Sequence, residues 1–201
     1  MSAITRPYAN GKNGTSHTNG ANTALLLPAD QNLIITGYTG PNQTMIGQHI
    51  ADQLKLRYVN VERQIEARAG MPPDEFRTRY GETRLKTVEA EVMQDVLLYR
   101  GMIIRISGET LMHGEYGRRL AETGPVICLV AALDAVLRRL HVSMGARYHN
   151  PNERALAIGN LKREWSVRKL DFVHQLDTTY MTDVEVVDAV IGLWQQAAVG
   201  G

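Results

Sequence analysis

From Asn32 onward, short apolar runs alternate with longer stretches whose apolar residues recur at helical spacing. Leu33-Ile34-Ile35 reads as a buried strand that runs into a glycine-containing turn at Gly37 and Gly40. A helix follows over about 44–54, with Ile46, Ile50 and Leu54 on one face. Further strands are expected at 58–61, 102–106 and 126–130, with helices near 62–69, 82–99 and 114–123 between them. Later come a helix over 133–142, a polar loop around 146–152 and a helix over about 153–170. Thr182 followed three residues on by Glu185 is the reciprocal capping pattern, and opens a last helix that turns Val186, Val190 and Leu193 inward. Strands that alternate with helices predict an α/β architecture: a parallel sheet of about five strands, with helices on both faces.

Residues 1–23 break this pattern. They are built from Ser, Thr, Asn and Gly with few large apolar side chains, and so cannot bury enough surface to offset their ordering entropy. A flexible tail over 1–23 and a single domain over 24–201 are expected. Leu25-Leu26-Leu27 is a greasy patch placed to dock on that domain's own core.

Composition narrows the function classes. The 201 residues carry 22 basic and 21 acidic side chains, a formal charge of +1, which excludes a strongly basic nucleic-acid arm. One cysteine, Cys128, excludes an internal disulfide framework, and its apolar strand makes it a small buried hydrophobe. The six histidines include no i, i+4 pair on a helix, so no metal site is expected from them. Ser107 lacks the glycines of a hydrolase elbow. With no apolar run near the roughly 18 residues of a membrane span and no secretory leader pattern, a cytoplasmic protein is expected, with neither membrane nor nucleic acid as partner.

A strand running into a glycine turn and a helix is the layout that cradles phosphate. Gly37-Tyr38-Thr39-Gly40-Pro41-Asn42-Gln43-Thr44 has the length and position of the loop G-x-x-x-x-G-K-[ST], but Asn42 stands for its second glycine and Gln43 for its lysine. Other landmarks follow in order: Tyr58-Val59-Asn60-Val61-Glu62, Ile65-Glu66 through Gly70-Met71, Gly81-Glu82 through Lys86 and Glu89, Ser107-Gly108-Glu109, Arg138-Arg139-Leu140 with Arg147 beyond, and Arg168 with Phe172. Over about 32–196 these resemble the shikimate kinase family, which implies a three-layer P-loop kinase fold. The resemblance implies nucleotide contacts at Gly37, Gly40, Asn42, Gln43, Thr44 and Arg147. It implies acceptor contacts at Glu62, Lys86, Gly108, Glu109 and Arg168, and a magnesium remnant at Thr44 and Asn60.

Several of these positions carry altered chemistry. The metal aspartate is Asn60, a neutral amide that binds a hard cation less well. The aspartate that positions the attacking hydroxyl is the longer Glu62, and the arginine that clamps the acceptor's acid is Lys86, which lacks a planar fork. Ser107 and Glu109 add side chains where the family has glycines. Removing one preorganised donor from a developing anion costs roughly 2.7–4 kcal/mol, and phosphoryl transfer is largely positioning and electrostatics. The altered positions Gln43, Asn60 and Glu62 therefore predict a protein without normal kinase catalysis. It would hold a small anionic ligand, a protein partner or a second copy of itself, with no cofactor. The rival expectation is an active small-molecule kinase using ATP and magnesium, which draws its missing cation from Arg105 or Arg147. A purely structural subunit is the third.

Overall fold

A computed structural model describes residues 30–38, 40 and 43–199. The expected tail over 1–23 and the 25–27 patch lie outside the described residues, as does Asn42. The chain begins with β1 (Leu33–Gly37), α1 (Gln43–Leu54), β2 (Arg57–Asn60), α2 (Val61–Ala69), α3 (Pro73–Tyr80) and α4 (Glu82–Val96). It continues with β3 (Met102–Arg105), the short α5 (Gly108–Leu111) and α6 (Tyr116–Ala121), then β4 (Val126–Val130) and α7 (Leu133–Met144). A 3-10 turn (Gly145–His149), α8 (Pro151–Glu164), a second 3-10 turn (Trp165–Lys169), β5 (Val173–Asp177) and α9 (Asp183–Val199) complete it.

The five strands form one parallel sheet in the order β2-β3-β1-β4-β5. Because successive side chains of a strand point to opposite faces, each central strand feeds two cores. Leu33 and Ile35 join Ile103, Ile127 and Leu129 against α1 and α9, where Trp194 is fully buried. Ile34 joins Ile104, Val126 and Cys128 against α2 and α4. Burial pushes the Cys128 thiol up to about 12, so it stays a protonated, inert packing group.

Sheet order decides where a ligand goes. β1 sits between β3 and β4, so the chain leaves β1 where the order reverses, and the crevice opens beyond its carboxyl end. Gly37 ends that strand at φ +82, and a Cβ there would lie 2.3 Å from the Leu129 carbonyl oxygen. No other residue type turns the chain here so close to β4.

Four elements differ from the sequence expectation. The helix expected over 153–170 ends at Glu164 and gives way to a 3-10 turn, so residues beyond 164 leave the helical register. β5, α3 and the short α5 are additional to it. β5 is an edge strand with mostly exposed side chains, and α3 buries none, so neither carries an apolar stripe. The last helix begins as expected: Thr182 N–H donates to Glu185 Oε2, and Glu185 N–H donates to Thr182 Oγ1. Among the described residues no helix is long and apolar enough to cross a membrane.

Candidate active site

Two cavities flank the loop that follows β1. The first, 480 Å³, is lined by Gly40 and Gln43 of the loop and by Arg138, Arg139 and Ser143 of α7. Arg139 lies against the loop, since a Cβ on Gly40 would meet its Cδ at 3.4 Å, and its Nη2 donates to the Thr178 carbonyl at 2.8 Å. Gln43 is buried, and its Nε2 donates to the Gly37 carbonyl. The amide that replaces the loop lysine thus ties the two ends of the turn together, while its Oε1 is buried without a hydrogen bond. Thr44 follows in the first turn of α1, half-buried.

The second cavity, 450 Å³, lies between α2, α3, α5, the end of β3 and the end of α8, and the loop contributes Tyr38 to it. Glu62 Oε1 accepts a hydrogen bond from Ser107 N–H, and its Oε2 lies 3.7 Å from Arg105 Nη1. Across from it, Glu164 Oε2 accepts from Gly108 N–H at 2.8 Å and lies 3.9 Å from Arg105 Nη2. Gly108 is required by this packing, because a Cβ would sit 2.3 Å from the Glu164 carbonyl oxygen. Burial, reinforced by the neighbouring carboxylates Glu62 and Glu109, pushes Glu164 up to about 7, against the opposing pull of Arg105 and Gly108 N–H.

Of the expected acceptor residues, Glu62 and Glu109 line this cavity and Gly108 braces its wall. Lys86 does not: it is exposed on α4 and lines a separate hollow with Glu89 and His113. Arg168 does not either, being exposed in the 3-10 turn with its guanidinium 6.0 Å from the Trp165 ring centroid. The broken helix explains the second displacement, for it is Arg163 and Glu164, at the end of α8, that enter the cavity. Gly37, Gly40, Gln43 and Thr44 are brought together at the loop; Arg147 falls in the turn Gly145–His149, and its side chain lies outside the described residues. Asn60 Oδ1 accepts from Arg63 N–H at 3.0 Å and caps α2. It is thereby committed to the fold, while a second lone pair remains for a metal.

Four participants escaped the sequence reading as acceptor-site residues: Arg105, Tyr38, Arg163 and Glu164. Arg105 alone left a signal, a charge at the end of an otherwise apolar central strand.

The residues present fit the phosphates of a nucleotide. The glycine turn and the N-terminus of the twelve-residue α1 offer backbone N–H groups, with two arginines alongside. For magnesium they offer the Thr44 hydroxyl and the Asn60 amide oxygen, both neutral, which leaves most of the coordination to phosphate and water.

Comparison with known proteins agrees with this geometry. The shikimate kinase family model matches residues 40–192. The shikimate kinase of Thermodesulfovibrio yellowstonii is 27% identical over 173 residues, covering 85% of this chain and 98% of its own length. A shikimate kinase of Thermus thermophilus is 29% identical over 173 residues, covering 83% and 92%. In fold, the crystal structure of the Bacteroides thetaiotaomicron shikimate kinase superimposes with a TM-score of 0.65 at 18% identity, over 85% of this chain and 99% of that one. The Acinetobacter baumannii enzyme in complex with shikimate gives 0.64 at 18% identity, over 81% and 92%. These relatives overturn the expectation of a binding module without kinase catalysis, since the proteins matched over nearly their whole length are named as kinases. The physical reason lies in the loop, where substitution at Gln43 has preserved the turn and left arginines beside it. With matching landmarks, sheet order and a family model spanning most of its length, the chain belongs to the shikimate kinase family.

Proposed function

We propose that this protein is an ATP-dependent phosphotransferase acting on an alcohol group of a small, shikimate-like hydroxy acid. The observation that carries the reading is the loop's position between two cavities: Gly40 faces one and Tyr38 the other. Donor and acceptor then meet across a single turn of backbone, the proximity that phosphoryl transfer needs.

ATP with magnesium, when bound, supplies the transferable phosphoryl group and neutralises part of its charge. The acceptor's hydroxyl oxygen forms a new bond to the γ-phosphorus as the bond to the ADP oxygen breaks. The hydroxyl proton passes to the Glu62 carboxylate, which Ser107 N–H and Arg105 hold in a fixed orientation. Arg138 and Arg139, both lining the donor cavity, supply positive charge in place of the absent lysine.

The test is ADP formation by the purified protein with ATP, magnesium and a series of hydroxylated carboxylic acids including shikimate. Acceptor-dependent ADP release is the expected outcome. Its absence with every acid, at protein concentrations that detect one turnover, sinks the reading.

A further inference from the structure

The acceptor cavity is rich in acid. Carboxylates of Glu62, Asp74, Glu89, Glu109 and Glu164 line it, against the guanidiniums of Arg77, Arg105 and Arg163. Five acidic side chains thus face three guanidiniums, with the His113 imidazole 3.1 Å from Glu89, whose carboxyl burial also pushes up. Each guanidinium also has a carboxylate beside it. Arg77 lies 2.8 Å from Asp74 and 2.6 Å from Glu82, Arg163 lies 3.3 Å from Glu109, and Arg105 stands between Glu62 and Glu164.

Two features of this cluster ask for different groups on a ligand. Arg105 Nη1 is buried and makes no hydrogen bond, its nearest carboxylate oxygen being Glu62 Oε2 at 3.7 Å, so the guanidinium keeps a donor that an acid group entering the cavity can complete. Glu164, in contrast, is disfavoured as an anion first by its burial and further by the charges of Glu62 and Glu109, the latter 3.3 Å from Arg163 and 4.0 Å from Arg77, and the expected basic side chains Lys86 and Arg168 both lie elsewhere. An acceptor bearing negative charge alone satisfies Arg105 and worsens this penalty. One that adds a positive charge relieves it.

Building on the phosphotransferase reading, we propose that the acceptor is a hydroxylated carboxylic acid that also carries a protonated amine. Its acid group sits on Arg105 and its ammonium against Glu164 and Glu109. Glu62 remains with the reacting hydroxyl. The groups that face Glu164 are Arg105, Glu62, Glu109, the Tyr38 hydroxyl and the Cys128 thiol, and of these Arg105 alone is cationic. Near neutral pH the empty cavity keeps part of its Glu164 protonated, so an arriving ammonium expels that proton. Binding of an amine-bearing acceptor therefore releases protons at pH 6.5, and binding of its amine-free counterpart does not.

The deciding experiment is calorimetric titration of the full chain with shikimate and with 5-amino-5-deoxyshikimate, in buffers of different ionisation heat, with ADP formation measured in parallel. The amino compound is expected to bind about ten-fold tighter, as one added charge-assisted contact implies, and to release protons. Glu164→Gln and the more exposed Glu109→Gln should each reduce that preference several-fold. Equal or tighter binding of shikimate, binding of neither compound, or a preference untouched by both substitutions overturns the proposal. ADP formation is a separate readout: its absence with both compounds sinks the phosphotransferase reading, while the binding preference still decides the acceptor class.

Discussion

The two cavities beside the loop have diverged in opposite directions. On the donor side an amide, Gln43, stands where the resembled family has a lysine, and it serves the backbone by tying the loop to Gly37; Asn60, where the family has an aspartate, likewise serves the backbone by capping α2. On the acceptor side charge has accumulated, with Arg105 inside the sheet's edge and Glu109 and Glu164 around it. Phosphate binding tolerates the first change because much of its attraction comes from backbone N–H groups and a helix terminus, which no side-chain substitution removes. Recognition of a small acceptor has no such reserve and must be written in side chains.

The sharpest way to break the comparison is at Gly108. A methyl group there meets the Glu164 carbonyl at 2.3 Å, so α5 and the end of α8 must separate. Gly108→Ala is expected to lower acceptor kcat/KM by about a hundred-fold, as an ångström of misplacement does, while leaving ATP binding by equilibrium titration near the parent value. A loss of ATP affinity of similar size would show that the two sides are not separable.

On the donor side, Gln43→Lys restores a cation while keeping a donor for the Gly37 carbonyl. Turnover should rise by about ten-fold or more, part of the roughly hundred-fold worth of one preorganised donor. An unchanged kcat would mean that Arg138 and Arg139 already do the whole of the lysine's task.

The smallest effect is on stability. Glu164 holds its proton up to about 7 from an ordinary 4.5, so between these values the folded chain binds more protons than the unfolded one. Stability from this group therefore falls as pH rises from about 4.5 to about 7 and stays lowered above, by at most about 3 kcal/mol. Glu164→Gln should raise Tm at pH 8 by about 5 °C and change it little at pH 4. Equal shifts at both pH values would remove the buried charge as the cause.

How far these features can be read from the sequence depends on what each residue must do locally. β4 is legible to the residue, since Val126–Val130 is apolar throughout and buried except for the half-buried Val130. The Thr182–Glu185 cap is legible because its partners are three residues apart. The acceptor cavity is not, for reasons visible at two positions. The family resemblance puts Arg168 in the site, within a helix expected to run to about 170, whereas the chain turns 3-10 after Glu164, a change that propensity does not mark. Lys86 shares α4 with the buried Leu85 and Glu89, yet helix rotation carries it outward. α3 does leave a signal in Pro73 followed by Asp74 and Glu75 and closed by Arg77 and Arg79, the charge order a helix dipole favours, but without a buried face.

The indole of Trp165 donates its Nε1–H to the Tyr38 carbonyl at 2.9 Å, joining the turn after α8 to the loop between the cavities. The chain's second indole, Trp194, is sealed in the opposite core. The protein thus carries its own optical gauge: emission from Trp165 is expected to follow movement of the backbone between the two cavities, with Trp194 as a steady internal standard.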